Sequence, residues 1–204
     1  MHPVSGMTDK STSGRPRSFD RDSIVSQALQ AYWREGIRAV SVNELSRRTG
    51  ASKPSLYRAF GSEDGLKRAV VDQYGATIVP FMVGLIEADA PFFETLERVI
   101  AQMMDPSPAP VGCLITDCRL VAAELGPATA AGVEAGVVEL RDAYARWFAR
   151  GQVEGALDAT LSVELGTDFI DTQFTAVLQQ MRQGVAPERV RAQVMLAFRA
   201  VRAG

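Results

Sequence analysis

Residues 41–60 read SVNELSRRTGASKPSLYRAF, and this stretch contains the signals for two short helices. Ser41 and Glu44 form a capping box, which satisfies backbone N–H groups at the start of a helix. Gly50 ends that helix, because glycine accepts the left-handed conformation that a helix end requires. Ser52 is positioned to cap a second helix directly afterwards. The stretch therefore predicts two helices joined by a tight turn.

The second of these helices has an apolar side and a polar side. Pro54 fits its first turn, where a missing N–H costs nothing, and Leu56 and Phe60 have the spacing of buried positions. The exposed side carries Lys53, Ser55, Tyr57 and Arg58. Basic and hydroxyl side chains bind phosphate oxygens, and an arginine also reaches a guanine edge in the major groove. The pattern indicates a DNA-binding helix-turn-helix; a pair of surface helices with a solvated basic face is the alternative.

The segment upstream also favours DNA. Gly14-Arg15-Pro16-Arg17 lies in a polar, Ser/Thr-rich start that is predicted to be disordered up to about residue 18. Arg15 and Arg17 on such a proline-held arm suit the minor groove beside a major-groove helix, and an ordinary charged tail is the alternative. Asp20 then begins a helix, closed by Gly36, that braces the other two helices.

The order of these motifs resembles the N-terminal domain of TetR-family transcriptional regulators over about residues 14–75. The resemblance is carried by GRPR at 14–17, FD at 19–20, AYWREG at 31–36, SVNEL at 41–45, GASKPSLY at 50–57 and FGSE at 60–63. It implies an all-α homodimer with an N-terminal three-helix helix-turn-helix domain and a larger C-terminal helical domain for ligand binding and dimerisation. No motif in the remaining part of the chain identifies a subfamily.

The resemblance also implies domain boundaries and DNA contacts. It implies a flexible arm at 1–17, a DNA-binding domain at 18–62, a connecting helix at 63–88 and an effector-binding and dimerisation domain at 89–204. By position, DNA contacts are implied for Arg15, Arg17, Ser41, Ser52, Lys53, Pro54, Ser55, Tyr57 and Arg58. Lys67, near the start of the connecting helix, is implied to approach a phosphate.

The charge distribution agrees with DNA binding by the N-terminal part. The net charge of the 204 residues is −2, and hydrophobic residues make up 47% of them, which indicates a folded chain. Residues 15–72 carry 11 Lys/Arg against 7 Asp/Glu, whereas residues 73–204 carry 10 against 16. The basic part is therefore the part that contains the helix-turn-helix.

The sequence does not indicate an enzyme or a membrane protein. The single histidine, His2, lies in the polar start, and no phosphate-binding glycine loop or metal-ligand spacing is present, so no cofactor or metal is expected. The longest apolar run, 76–86, is about half the ~20 residues of a membrane span, and no signal segment begins the chain, which predicts a cytoplasmic protein. Cys113 and Cys118 are expected to be buried and reduced, with a thiol sensor as the alternative.

Apolar periodicity predicts helices throughout the C-terminal part, and Pro80 is expected to kink or break the fourth helix near Val79. Aromatic and polar side chains on these helices are candidates for lining an effector pocket, with ordinary core positions as the alternative. These candidates are Phe81, Met103, Tyr144, Trp147, Phe148, Thr172 and Gln173. Further candidates are Phe92, Phe93, Cys113, Thr116 and Asp117.

The final two helices carry a wide apolar stripe that predicts a four-helix dimer interface, with a face that covers the monomer core as the alternative. The residues assigned to this interface are Phe169, Phe174, Val177, Leu178, Val194, Phe198 and Val201. The expected function is a repressor that leaves a palindromic DNA operator when a small molecule binds the C-terminal domain. A transcriptional activator and a nonspecific architectural DNA-binding protein are the alternatives.

Overall fold

The computed structural model describes residues 20–105 and 112–204, and within them the chain forms nine α-helices and one 3-10 helix. The α-helices are α1 Arg21–Glu35, α2 Val42–Thr49, α3 Lys53–Phe60, α4 Glu63–Ile86, α5 Phe92–Met104, α6 Leu114–Leu120, α7 Pro127–Val153, α8 Val163–Arg182 and α9 Pro187–Arg199. The all-α prediction is confirmed. The predicted arm, with Arg15 and Arg17, lies outside the described residues.

The ends of α2 and α3 have most of the local structure that residues 41–60 predict. Of the predicted capping box, the described bonds include the Ser41 half, whereas the Glu44 carboxylate accepts hydrogen bonds from Arg47 and Arg48. The Ser41 hydroxyl accepts a hydrogen bond from the Glu44 backbone N–H at 3.2 Å. Gly50 follows α2 in the left-handed conformation with φ of 72°, and the Ser52 hydroxyl caps α3 at the Ser55 N–H, at 3.3 Å. These contacts fix the turn between the two helices, because each helix end is satisfied by its own neighbouring residues.

Two hydrophobic cores hold the helices together. The first joins α1–α4 to α6 and α7, with Tyr32, Leu45, Leu56 and Val70 fully or almost fully buried. The second joins α5, α7, α8 and α9 around Trp147, and α7 takes part in both cores. The first core therefore crosses the boundary predicted at residues 62–63, because side chains of α6 and α7 complete it.

α4 connects the two cores without a break. It continues through Pro80 to Ile86, so of the two outcomes predicted near Val79, a kink or a break, the break does not occur. Proline removes the hydrogen bond to the carbonyl four residues earlier, at Ala76. Both Pro80 and Ala76 are exposed, so water can replace the lost bond and the helix continues.

α4 is also, within the described part of the chain, the one helix long and apolar enough to cross a membrane by length and composition, with a mean hydropathy of 1.5. Core helices of folded proteins have the same property. Here Leu66, Val70 and Tyr74 of α4 are buried in the first core, where α4 packs against α1 and α7.

Asp64, in the first turn of α4, binds the start of α7. Its carboxylate accepts hydrogen bonds from the backbone N–H groups of Ala128 at 2.9 Å and Thr129 at 3.0 Å, and from the Thr129 hydroxyl at 2.5 Å. Burial raises the pKa of Asp64, but these hydrogen bonds outweigh burial and the pKa is lowered. The carboxylate of one helix therefore caps the other and fixes the position of α4 relative to the body.

We expect Asp64→Ala to lower the free energy of unfolding by about 1–2 kcal/mol, because the start of α7 loses its cap. The folded-state pKa is below the unfolded value, so this contribution is present above the unfolded pKa and is lost as pH falls through the folded pKa. Urea unfolding at neutral and acidic pH measures both effects. Asp72→Ala is the control, because the contact of Asp72 among the described residues is an exposed ion pair with Arg68, and a loss below about 0.5 kcal/mol is expected for it. Equal losses in the two variants contradict the capping role.

Candidate nucleic-acid interface and ligand cavity

The outer face of α3 presents basic and hydroxyl groups to solvent. Tyr57 is 36% exposed, Arg58 is exposed, and the Lys53 ammonium lies 5.7 Å from the centre of the Tyr57 ring. Within residues 20–105 and 112–204, no carboxylate pairs with Lys53 or Arg58. Both cations are therefore available to an anion such as a DNA phosphate.

The serines assigned to DNA contact also have structural roles. Ser41 and Ser52 cap α2 and α3, and the hydroxyls of Ser52 and Ser55 lie 2.8 Å apart. Pro54 is exposed in the first turn of α3. The group of Ser52, Lys53, Pro54 and Ser55 thus lies at the start of the helix, where backbone N–H groups without helical partners also favour anions.

Other cations near this face are already paired. The Lys67 ammonium contacts the Glu63 carboxylate at 2.8 Å, so a phosphate contact by Lys67 requires it to exchange partners. Arg47 and Arg48 of α2 both contact Glu44, and Arg48 also pairs with Glu35. Arg47 was not among the residues predicted to contact DNA, although it is the most exposed of these cations, with 75% of its side chain accessible. The sequence feature that could have indicated a DNA contact by Arg47 is its position close to the turn between α2 and α3.

A cavity of about 360 Å³ lies between α1, α4, α5, α6, α7 and α8. Three of the predicted pocket residues line it: Phe81, Met103 and Tyr144. Of the further candidates, Cys113 and Thr116 also line it. Its size falls within the range of about 300–1,000 Å³ that is typical of small-molecule sites.

The other predicted pocket residues lie elsewhere. Trp147 stacks on Phe92 with ring centres 4.4 Å apart, and Phe148 packs against Gly166 of α8, so all three large side chains belong to the second core. Thr172 is exposed and Gln173 is half-buried, and neither lines the cavity. Phe93 packs under the Arg202 guanidinium and Asp117 pairs with Arg182.

The neighbours that successive turns of α7 face explain why some predicted pocket residues line the cavity and others lie in the second core. Val137, Leu140 and Tyr144 line the cavity at successive turns of α7. Trp147 and Phe148 begin the next turn, where α7 has passed the cavity and faces α5 and α8. Helical spacing places all five residues on a broad apolar face but does not show where the neighbouring helices end.

Charged groups at one side of the cavity neutralise each other. The Arg119 guanidinium donates two hydrogen bonds to the Asp171 carboxylate, at 2.9 and 2.8 Å, and Arg141 donates a third at 3.2 Å. Burial raises the pKa of Asp171, but the bonds and charges of the two arginines outweigh it and the pKa is lowered. Tyr144 lies beside this group, and burial followed by the charge of Asp171 raises the pKa of its phenol.

Both cysteines are buried, and Cys113 lies at the cavity wall. Burial is the largest of the effects that raise the pKa of Cys118 to about 12, which keeps this thiol protonated at neutral pH. Within the described residues, no group of three or more Cys, His, Asp or Glu side chains is placed to hold a metal ion.

The residues assigned to a dimer interface face the monomer's own core. Phe174, Val177, Val194, Phe198 and Val201 are all less than 10% exposed, and Leu178 and Phe174 line the cavity. Phe169 is half-buried and packs edge-on against Phe198, with ring centres 5.0 Å apart. The apolar side chains that α8 and α9 leave exposed are instead Val163, Leu165 and Leu196, at 37%, 56% and 65%. The apolar stripe therefore fills the second core, and the outer surface of the hairpin carries other residues.

Comparisons with known proteins agree with the helix-turn-helix geometry. Residues 24–70 match the sequence model described as bacterial regulatory proteins, tetR family. The HTH-type transcriptional repressor ComR of Escherichia coli is 43% identical over 65 residues, which are 32% of this chain and 31% of ComR. The HTH-type transcriptional repressor BdcR of the same organism is 25% identical over 196 residues, covering 93% of this chain and 92% of BdcR.

Solved structures extend the likeness to the whole fold. A TetR-family regulator from Agrobacterium tumefaciens superposes with a TM-score of 0.76 at 20% identity, over 90% of this chain and 97% of that chain. CifR, solved as a cysteine mutant with 26bp double-strand operator DNA, has a TM-score of 0.72 at 28% identity, over 92% and 100% of the two chains.

The fold and the α3 face define a helix-turn-helix transcriptional regulator that binds DNA. The sequence match at residues 24–70 and the structural likeness along the chain support a TetR-family transcriptional regulator.

Proposed function

We propose that the protein is a repressor that binds a palindromic operator as a homodimer and leaves it when a small molecule enters the cavity. The observation that carries this proposal is one fold with two sites. The first is the pair of cations on α3, Lys53 and Arg58, which no described carboxylate contacts, and the second is a cavity bounded by α1 and α4, the helices that support α3. ComR and BdcR are named as repressors, which supports the sign of regulation.

A reporter assay tests whether the protein represses or activates transcription. The operator is placed between a promoter and a reporter gene, and the protein is expressed from a second promoter. A repressor lowers reporter output, and Arg58→Ala restores it. An increase in output on expression of the protein contradicts repression and identifies an activator.

Dimerisation is proposed through the outer surface of α8 and α9. The contact between Phe169 and Phe198 brings the start of α8 beside the end of α9, where Leu165 and Leu196 are exposed. Apolar side chains that form a contiguous exposed patch mark association surfaces, and a two-fold dimer uses the same patch on both subunits. Two heads are also required to contact two half-sites of a palindrome.

We expect the double variant Leu165→Glu/Leu196→Glu to sediment as a monomer, because charged side chains cannot be buried unpaired at a helical interface. Analytical ultracentrifugation measures the change, and the melting temperature shows that each subunit stays folded. Val153→Glu is the matched control, because Val153 is a 90% exposed apolar residue at the end of α7. A double variant that remains dimeric contradicts this surface.

A further inference from the structure

A residue of the DNA-binding part forms one wall of the cavity. Trp33, near the end of α1, lines the cavity and is 8% exposed. Its ring packs edge-on against Tyr74 of α4, with centres 4.9 Å apart, and Tyr74 lines the cavity as well. A molecule in the cavity therefore touches α1 directly, in addition to the helices of the body.

Two hydrogen bonds join Trp33 to the body beside the cavity. The indole Nε1–H donates to the Gly112 carbonyl at 3.1 Å, and the Trp33 carbonyl accepts from Arg182 Nη2 at 3.2 Å. Arg182 also pairs with Asp117 of α6, and Gly112 lines the cavity. The position of the end of α1 thus depends on a cluster that borders the space where a ligand would lie.

The cavity lining indicates the chemistry of that ligand. Most of the wall is apolar. Of its three charged side chains, Arg119 and Asp171 pair with each other, so neither attracts a charged group strongly, and Asp105 lies at the end of α5. The Tyr144 side chain is 5% exposed, and its hydroxyl forms no hydrogen bond with another described residue. The hydroxyl is not fully enclosed by the described residues, so a ligand in the cavity can reach it and form a hydrogen bond with it.

We infer that the cavity binds an uncharged, mostly apolar molecule with one polar group that hydrogen-bonds to Tyr144, and that Trp33 transmits its binding to α1. This inference rests on the proposed function, since transmission matters only if the protein binds an operator. Binding that moves the Trp33 ring disturbs its bond to Gly112. The end of α1, and with it the core that supports α3, then changes position.

The ligand class is tested with naphthalene and 1-naphthol, which differ by one hydroxyl. We expect the protein to bind 1-naphthol about fivefold more tightly than naphthalene, the effect of one net hydrogen bond. In Tyr144→Phe, which keeps the ring, this preference is expected to disappear while naphthalene affinity is unchanged. Calorimetric titration, with naphthalene measured by competition, gives the four dissociation constants. No binding of 1-naphthol, or a preference that Tyr144→Phe retains, overturns the ligand class.

Transmission is tested with the matched variants Trp33→Phe and Trp147→Phe. Both replace an indole by a phenyl ring, but Trp147 belongs to the second core and does not line the cavity. We expect saturating 1-naphthol to weaken operator binding of the wild type and of Trp147→Phe by about fivefold or more. We expect less than about twofold weakening in Trp33→Phe, at a 1-naphthol concentration that calorimetry shows to saturate this variant, because the bond to Gly112 is absent.

The outcomes separate this inference from the proposed function. A protein that binds no operator specifically contradicts the proposed function, and the Tyr144 comparison, which needs no DNA, still tests the ligand class. Two outcomes overturn the transmission claim and leave the ligand class standing. Saturating 1-naphthol does not weaken the operator complex, or the Trp33→Phe variant responds to 1-naphthol like the wild type. Thermal unfolding of each variant shows that it is folded.

Discussion

Replacing Leu56 by alanine is expected to destabilise the protein by about 2–5 kcal/mol. Leu56 is 1% exposed and lies on the inner side of α3, in the core formed with α1, α2 and α4. Alanine leaves a cavity there, because the surrounding helices can close it only in part. The free energy of unfolding from urea titration measures the loss.

The neighbouring exposed position gives the control for Leu56. Arg58→Ala changes the same helix two residues later without creating a cavity, so a change within about 0.5 kcal/mol is expected. A loss below 1 kcal/mol for Leu56→Ala, comparable with the control, contradicts the orientation of α3 described above.

Arg58→Ala and Tyr57→Ala are each expected to weaken operator binding by about 1–3 kcal/mol, roughly 5- to 150-fold. Both side chains are exposed on the outer face of α3, and Arg58 has no ion pair with any described residue. Loss of a contact to a base or a phosphate therefore has no compensating internal contact. Fluorescence anisotropy with a labelled operator, at one fixed salt concentration, measures the change.

Arg98→Ala is the matched control for charge. Arg98 lies on α5 and pairs with Glu94, and its removal lowers the net charge by the same amount as Arg58→Ala. Operator affinity within about twofold of the wild type is expected for it, because only long-range attraction changes. Wild-type affinity in both Tyr57→Ala and Arg58→Ala excludes α3 as the helix that contacts DNA.

The helix-turn-helix was predictable because its signals are local. Ser41, Gly50 and Ser52 fix helix ends through contacts with residues three or four positions away, and the structure has these contacts. The family resemblance rests on the same stretch, and the comparisons confirm it. The effect of Pro80 was less predictable, since it depended on whether the carbonyl of Ala76 faces solvent.

The cavity was predictable only in part, because it depends on contacts between distant residues. Tyr144 and Trp147 lie on the same apolar face of α7, and only the packing of α5 and α8 separates cavity from core. The role of Trp33 depends on its bond to Gly112, which is 79 positions away in the chain. No periodicity within α1 indicates such a contact.

The residues of α8 and α9 that would form a dimer interface were also hard to predict from the sequence. A wide apolar stripe indicates that a helix face is buried, but it does not show whether the same chain or a second copy buries it. Val194 and Phe198 are covered by their own subunit, whereas Leu196, between them in sequence, is 65% exposed. Two residues predicted for the interface, Val194 and Phe198, therefore also lie in the subunit's own core, and Leu196 of the surface proposed for dimerisation lies two positions from each.

The central claim is that the protein binds a specific DNA sequence through α3. Selection of binding sites from random-sequence DNA, at near-physiological salt and with excess unrelated DNA as competitor, tests it most directly. The predicted result is a two-fold symmetric motif whose half-sites are separated by one or more helical turns, and whose recovery Arg58→Ala abolishes. Recovery of no motif, with unrelated DNA competing as well as any selected sequence, contradicts the claim and indicates nonspecific DNA binding.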